Sequence, residues 1–293
     1  MKKIYLVIIG AVAALCCHAQ DGPTRMLHPK APAVPESIVF AGQKVSFNTD
    51  DLYERMDREL LAFTYMHSTS ILMLKRSKRI FSMIVPILKE KGIPEDLKYL
   101  MAIESNLDPK AVSVTGAGGL WQFTRATGQE YGMEVNAEVD ERFNIEKSTA
   151  AACSYLMRAY RRYGDWMTVA ASYNAGQAGI SKRLEEQQET SAMNLVLKEE
   201  TARYMFRVLT AKLFFENPEA FGFNMDEDDY YPVQEPAKVI TVSEPIASLV
   251  DFAKDNGVSF RDLRTANPWL IGTKLTNAKG KTYKIVIPRK VNR

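Results

Sequence analysis

The chain has 293 residues, 46% of them hydrophobic and 25% charged, which is enough to bury a substantial core and to form two domains. The net charge of +3 falls further once Lys2 and Lys3 leave with a leader, so no polyanion-binding signature remains and nucleic acid is excluded as a partner. Two of the three cysteines sit in that leader, which leaves Cys153 without an intramolecular partner, and the three histidines show no ligand spacing, so neither a disulfide framework nor a metal centre is expected.

Residues 1–19 read as a signal peptide. Lys2 and Lys3 form a positive n-region, Ile4 to Leu15 is a short apolar run, and Cys17-His18-Ala19 before Gln20 fits a small-x-small cleavage site. The run is too short for a comfortable membrane span. This places the mature protein in the periplasm. Association with the outer membrane would require Cys16 or Cys17 to carry a lipid, and bulky Leu15 argues against Cys16. Residues 20–37 read as a linker, with four prolines between Asp21 and Pro35.

A first domain is expected over residues 38–223. Ile38 to Phe47 reads as extended, and helical signals follow as far as Phe214. Leu52, Met56, Leu60 and Phe63 recur at helical spacing, as do Ile80, Ile84 and Leu88. Lys91-Gly92 ends that second helix, and Pro94 predicts the first residue of the next. Ser148 predicts the cap of a helix with the stripe Ala152, Tyr155, Leu156, Ala159 and Tyr163, ended by Gly164. Asp165 predicts the cap of a short helix carrying Trp166, Val169, Ala170 and Tyr173. Lys75-Arg76-Lys78-Arg79 reads as a solvated helix face. Residues 224–236 are acidic and proline-containing, a second linker, and Asp226 to Asp229 lacks the glycine and spacing of a calcium loop. Residues 237–293 read as a strand-helix-helix-strand module: strand over Lys238 to Val242, helices over Pro245 to Asp255 and Ser259 to Ala266, strand over Tyr283 to Ile287.

One position stands out chemically. Glu104 follows Leu97, Leu100 and Met101 by seven, four and three residues, so it continues the apolar stripe of its helix. A carboxylate there is either desolvated or faces a cleft, and desolvation raises its pKa, which keeps a general acid protonated near neutral pH. The plainer alternative is a helix that ends at Glu104 with its side chain in water. Gly116-Ala117-Gly118-Gly119-Leu120-Trp121-Gln122-Phe123 supplies glycines that allow close backbone approach, followed by an indole and an amide. Tyr173-Asn174-Ala175-Gly176 ends a helix. Cys153, among Ala151, Ala152 and Leu156, reads as a small buried apolar residue.

Glu104-Ser105, Gly119-Leu120-Trp121-Gln122-Phe123, Ala171-Ser172-Tyr173-Asn174-Ala175-Gly176 and Glu200-Thr201-Ala202-Arg203-Tyr204 occur in an order that resembles the lytic transglycosylases of the goose-type-lysozyme superfamily, most closely the membrane-bound lytic transglycosylase D branch. The third motif departs from the family's usual Ala-Tyr-Asn only in having Ser172 in the alanine place. The resemblance implies a mainly α fold, with a lysozyme-like helical catalytic domain plus a small α+β LysM-like module. It implies a substrate of peptidoglycan glycan strands and no cofactor. It assigns Glu104 as catalytic acid/base with Ser105 beside it, Gln122 and Asn174 as hydrogen-bond partners of sugar N-acetyl groups or of Glu104, and Tyr173 and Tyr204 as walls. Gly119 belongs with the substrate-binding loop.

A glycosidase normally uses two carboxylates. No second one is tied to the motifs, and Asp108, before a proline, reads as a turn residue. A single acid therefore needs help from the substrate, which gives a 1,6-anhydro product. A hydrolytic muramidase and a non-catalytic peptidoglycan-binding scaffold remain as alternatives. The C-terminal module resembles a LysM domain through Ile240-Thr241-Val242, Asn256-Gly257-Val258, Leu263, Ala266-Asn267-Pro268 and Tyr283 to Pro288. The usual Gly-Asp-Thr-Leu turn is replaced by Glu244-Pro245-Ile246-Ala247, so glycan binding and a structural role packed on the first domain are both open.

Overall fold

A computed structural model describes residues 30–289. The expected leader, including Cys16, Cys17 and His18, lies outside the described residues. Two strands open the fold, β1 (Ser37–Phe40) and β2 (Gln43–Ser46), where sequence reading expects one extended piece. Ala41 and Gly42 both take positive φ, at 51° and 79°, and that pair closes a tight hairpin.

The helical body is α1 (Asp50–Tyr65), α2 (His67–Glu90), α3 (Leu97–Ser105), α4 (Arg125–Glu130), α5 (Ile145–Tyr163), α6 (Trp166–Ala175), α7 (Gln177–Gln187) and α8 (Glu199–Glu216). The stripe of α1 buries Met56, Leu60 and Phe63, and that of α2 buries Ile80, Ile84 and Leu88, as the spacing predicts. Three helix starts differ from the sequence reading. Pro94 does not open α3. Leu97, Lys98 and Tyr99 donate to the carbonyls three residues back, and Asp96 is occupied by Ala41 N at 2.8 Å and Lys212 at 2.9 Å, so α-helical bonding begins only at Leu97. The cap of α5 is Asn144, whose side chain accepts Lys147 N at 3.0 Å; Ser148 lies one turn inside, buried. In the C-terminal module the segment before Ser248 is held extended by a bridge between Ile246 and Leu275, so the helix expected from Pro245 starts at Leu249.

Helix α3 sits at the centre, packed by α8 and α2, with Leu97, Leu100 and Met101 fully buried. Each such side chain contributes about 1.5–3 kcal/mol by leaving water. The chain leaves α3 through two consecutive left-handed residues, Asn106 and Leu107. Asp165 caps α6 by accepting from Met167 N and Thr168 N, and Gly164 ends α5 at φ +66°.

After α8 the segment 224–235 lies along α2. Tyr231 N donates to Lys75 O at 2.7 Å, Arg79 Nε donates to Pro232 O at 2.8 Å, and Asp229 and Glu227 pair with Lys75 and Lys78. The basic face of α2 is thus covered by the acidic segment rather than fully solvated. The C-terminal module pairs β3 (Pro236–Val242) antiparallel with β4 (Tyr283–Pro288) and adds α9 (Leu249–Asp255) and α10 (Phe260–Ala266). Its own core of Leu249, Leu263, Leu270 and Ile285 takes in Val139 of the first domain, and Phe143 of that domain packs against it.

Candidate active site

Glu104 lies on the last turn of α3, partly buried, facing α8. Tyr204 of α8 donates its hydroxyl to Glu104 Oε1 at 2.5 Å. Burial pushes the Glu104 carboxyl up to about 7, against the opposing pull of the Tyr204 hydrogen bond and the Arg207 cation; the nearby Glu200 carboxylate adds to the rise. Desolvation is the largest of these effects. Glu104 therefore stays substantially protonated near neutral pH and can donate that proton. Tyr204 itself is buried, and burial next to Glu104 holds its phenol far above its ordinary range, so it acts only as a hydrogen-bond donor.

Tyr173, near the end of α6, is the second phenol close enough to feel the Glu104 charge. Its hydroxyl donates to Trp121 O at 2.7 Å and its ring packs on Tyr155 and Phe123. Trp121 is fully buried, with its indole N–H donating to Thr149 Oγ1 at 3.0 Å. The adjacent Asn174 accepts from Thr201 Oγ1 at 2.8 Å, which engages its amide oxygen and leaves the Nδ2 donors for another acceptor. Helices α3, α6 and α8 thus bring Glu104, Tyr173, Asn174 and Tyr204 together.

The glycine segment forms a compact loop. Gly119 has φ +77°, and a Cβ there would stand 2.0 Å from the Arg142 carbonyl oxygen, so only glycine fits. Gln122, also at positive φ, donates its side-chain amide to Gly119 O at 2.7 Å and Ala111 O at 3.2 Å. Its amide nitrogen therefore holds the loop rather than Glu104. Ser105 is buried and donates to Met101 O at 3.3 Å, bonding its own helix and not the carboxyl beside it. Asp108 faces Arg76 at 3.4 Å and accepts Lys110 N, the turn role expected of it.

Sequence reasoning missed three residues, Arg207, Asp140 and Arg142, and gave no role to Glu200 within its motif. Arg207 and Glu200 both act on the charge of Glu104, and nothing in their spacing marks that. Asp140 and Arg142 form a buried ion pair at 2.7 Å, and Arg142 donates to Gly116 O and Phe123 O at 2.7 and 3.1 Å, clamping both ends of the glycine loop. Among the described residues no group of three or more His, Cys, Asp or Glu could hold a metal ion. Cys153 is buried, and burial pushes its thiol up to about 11, out of the nucleophilic range at neutral pH. Two cavities of about 490 and 220 Å³ open along the contact between the C-terminal module and the helical body; Glu104 lines neither.

Residues 83–196 match the Transglycosylase SLT domain family, and residues 238–291 match the Soluble lytic transglycosylase C-terminal LysM-like domain. The chain is similar to the Membrane-bound lytic murein transglycosylase D of Escherichia coli K12, 27% identical over 248 residues, which cover 82% of this chain and 52% of that protein. It is also similar to the Peptidoglycan transglycosylase gp16 of Escherichia phage T7, 35% identical over 92 residues covering 30% of this chain and 7% of that one. The chain spans about half the length of the first of these relatives. The 70 kDa soluble lytic transglycosylase of Escherichia coli aligns with a TM-score of 0.39 and 20% identity, covering 52% of this chain and 26% of that chain.

Proposed function

We propose that this chain, in which a transglycosylase SLT domain precedes a LysM-like C-terminal domain, cleaves the MurNAc-GlcNAc β-1,4 bond of peptidoglycan and leaves 1,6-anhydro-muramic ends. The observation that carries this reading is Glu104: a carboxyl raised to about 7 by burial and held by the Tyr204 hydroxyl.

The chemistry follows from the site. Glu104 gives its proton to the departing glycosidic oxygen. The muramic N-acetyl group supports the positive charge developing at C1. Glu104, now a carboxylate, takes the proton of the sugar's own O6 hydroxyl as O6 attacks C1, so the ring closes and the acid is regenerated with no water consumed. Intramolecular attack has a high effective molarity, which offsets the lack of a second catalytic carboxylate. Asn174, with its oxygen fixed by Thr201, is suited to donate to an acetamido carbonyl. Tyr173 walls the cleft and ties α6 to the glycine loop through Trp121 O. Ser105 and Gln122 act from beneath, by keeping the helix end and the loop in place. Neither a metal nor another cofactor enters this scheme.

The hydrolytic muramidase alternative has one structural support, the exposed Glu200 carboxylate within electrostatic reach of Glu104. Product analysis separates the two. Sacculi digested in heavy-oxygen water should yield unlabelled anhydro-muramic ends by mass spectrometry; labelled reducing ends would establish hydrolysis instead. The residue 1–19 leader and the envelope substrate agree with a periplasmic location. Among the described residues no helix is long and apolar enough to cross a membrane.

A further inference from the structure

The contact between the C-terminal module and the helical body is a continuous hydrogen-bonded seam. The strip Glu134 to Phe143 of the first domain runs along the module. Asp140 N donates to Trp269 O at 2.8 Å, Ile271 N and Gly272 N donate to Glu138 O, and Thr276 donates to the Glu138 carboxylate through both its backbone N–H and its hydroxyl. Lys281 and Tyr283 both reach Glu134 Oε2 at 2.9 Å. Val139 is buried inside the module's own core, and the Trp269 ring stacks on Tyr283 at 5.6 Å. A module that only tethered the enzyme by a flexible linker would need none of these bonds.

The same strip carries the support of the glycine loop. Asp140, whose backbone is pinned to Trp269, grips the Arg142 guanidinium through both carboxylate oxygens, at 2.9 and 2.7 Å. Arg142 reaches the carbonyls of Gly116 and Phe123, and its own carbonyl sets the floor against which Gly119 packs. Gly119 O and Ala111 O in turn hold Gln122, and Trp121 O holds Tyr173, the phenol near Glu104. Every link from Trp269 to Tyr173 is a direct contact between buried or partly buried groups. Arg142 has its donors shared between Asp140 and two loop carbonyls, so moving the strip moves the loop.

We infer that the C-terminal module is a positioning element of the active site, acting through Asp140 and Arg142 on the loop from Gly116 to Phe123. This rests on the proposed glycan-cleaving activity and deepens it: the module is there to hold the cleft in shape as well as, or instead of, to bind glycan. It also changes the expectation for short soluble substrates, which gain nothing from tethering yet depend on loop geometry.

The test uses the full chain and a short soluble peptidoglycan oligosaccharide, with turnover referred to the folded fraction by circular dichroism. Arg142→Lys keeps the charge and loses the planar fork; displacement of a substrate-positioning loop by about 1 Å costs on the order of a hundredfold, so at least a tenfold loss in kcat/KM is expected. Trp269→Ala, on the module side and remote from Glu104, keeps the backbone bond to Asp140 but removes the ring that stacks on Tyr283, the residue that holds Glu134 of the strip, and should lower the same ratio about threefold or more. Both variants should keep the wild-type alkaline limb of the pH profile, because the Glu104–Tyr204 pair is untouched. If Trp269→Ala does not fold, Trp269→Phe is read in its place. Wild-type turnover per folded molecule on the soluble substrate in either variant overturns the inference, as does a Trp269 variant that loses only activity on, or sedimentation with, intact sacculi. A wild-type chain inactive on every glycan would instead overturn the proposed function.

Discussion

Two of the buried or partly buried polar pairs, Glu104–Tyr204 and Asp140–Arg142, work in opposite ways. Glu104 and Tyr204 leave the carboxyl short of full compensation: one hydrogen bond and a more distant arginine face the desolvation of a helix interior, so the proton stays on up to about pH 7. Asp140 and Arg142 are a fully bonded ion pair, with the carboxylate taken by three donors and the guanidinium shared with two loop carbonyls. The first pair is poised to exchange a proton; the second is fixed and holds backbone. Incomplete satisfaction of a buried charge tunes chemistry, whereas complete satisfaction makes a frame.

The largest expected effect breaks the first pair. Glu104→Gln should abolish muropeptide release from sacculi, since it removes the group proposed to donate and retake the proton; retention of more than a small residual activity would exclude that role. The same variant sharpens the comparison through stability. A carboxyl whose folded pKa is raised favours the folded state below its unfolded pKa, near 4.5, and loses that advantage as pH rises through about 7. Glu104→Gln should thus melt above wild type at pH 8, by no more than about 3 kcal/mol of stability, and the gain should vanish by pH 4. An opposite trend in calorimetry would contradict the burial of Glu104.

The second pair is broken from the loop side by Gly119→Ala. Its Cβ collides with the Arg142 carbonyl and its φ is positive, so a loss of at least about 3 kcal/mol is expected in denaturant titration. Smaller still is Tyr204→Phe. Removing the hydroxyl withdraws a bond that favours ionised Glu104, so the alkaline limb of kcat/KM should move to higher pH while turnover at its optimum falls about tenfold. An alkaline limb that moves down would mean that the hydroxyl serves the neutral acid instead.

Some of this was legible in the residues. The stripes of α1 and α2 gave two helices, and Gly164 and Asp165 marked the α5–α6 boundary where it falls, because glycine at positive φ and aspartate at an N-cap act on their immediate neighbours. Glu104 was singled out from its place on an apolar stripe, since helical periodicity alone puts it beside Leu97, Leu100 and Met101. The misplaced starts of α3 and α9 have tertiary causes: Asp96 is engaged by Ala41 and Lys212, and Ile246 is drawn into a bridge with Leu275. The start of α5 has a local one, since Asn144 caps Lys147 N ahead of Ser148.

The sequence by itself determined the helical character, the C-terminal strand-helix-helix-strand order and the four motifs that carry Glu104, Trp121, Tyr173 and Tyr204, because those depend on periodicity and on residues close in the chain. Only the tertiary structure decided that Glu200 and Arg207 set the field at Glu104, that Gln122 is spent on its own loop, and that the module grips the strip carrying Asp140 and Arg142. Those contacts join residues up to about 150 positions apart, such as Glu134 with Tyr283. Apart from the Gln122 bonds, which stay within one loop, each is fixed by the packing of distant elements against one another, for which no local pattern of residues carries a signal.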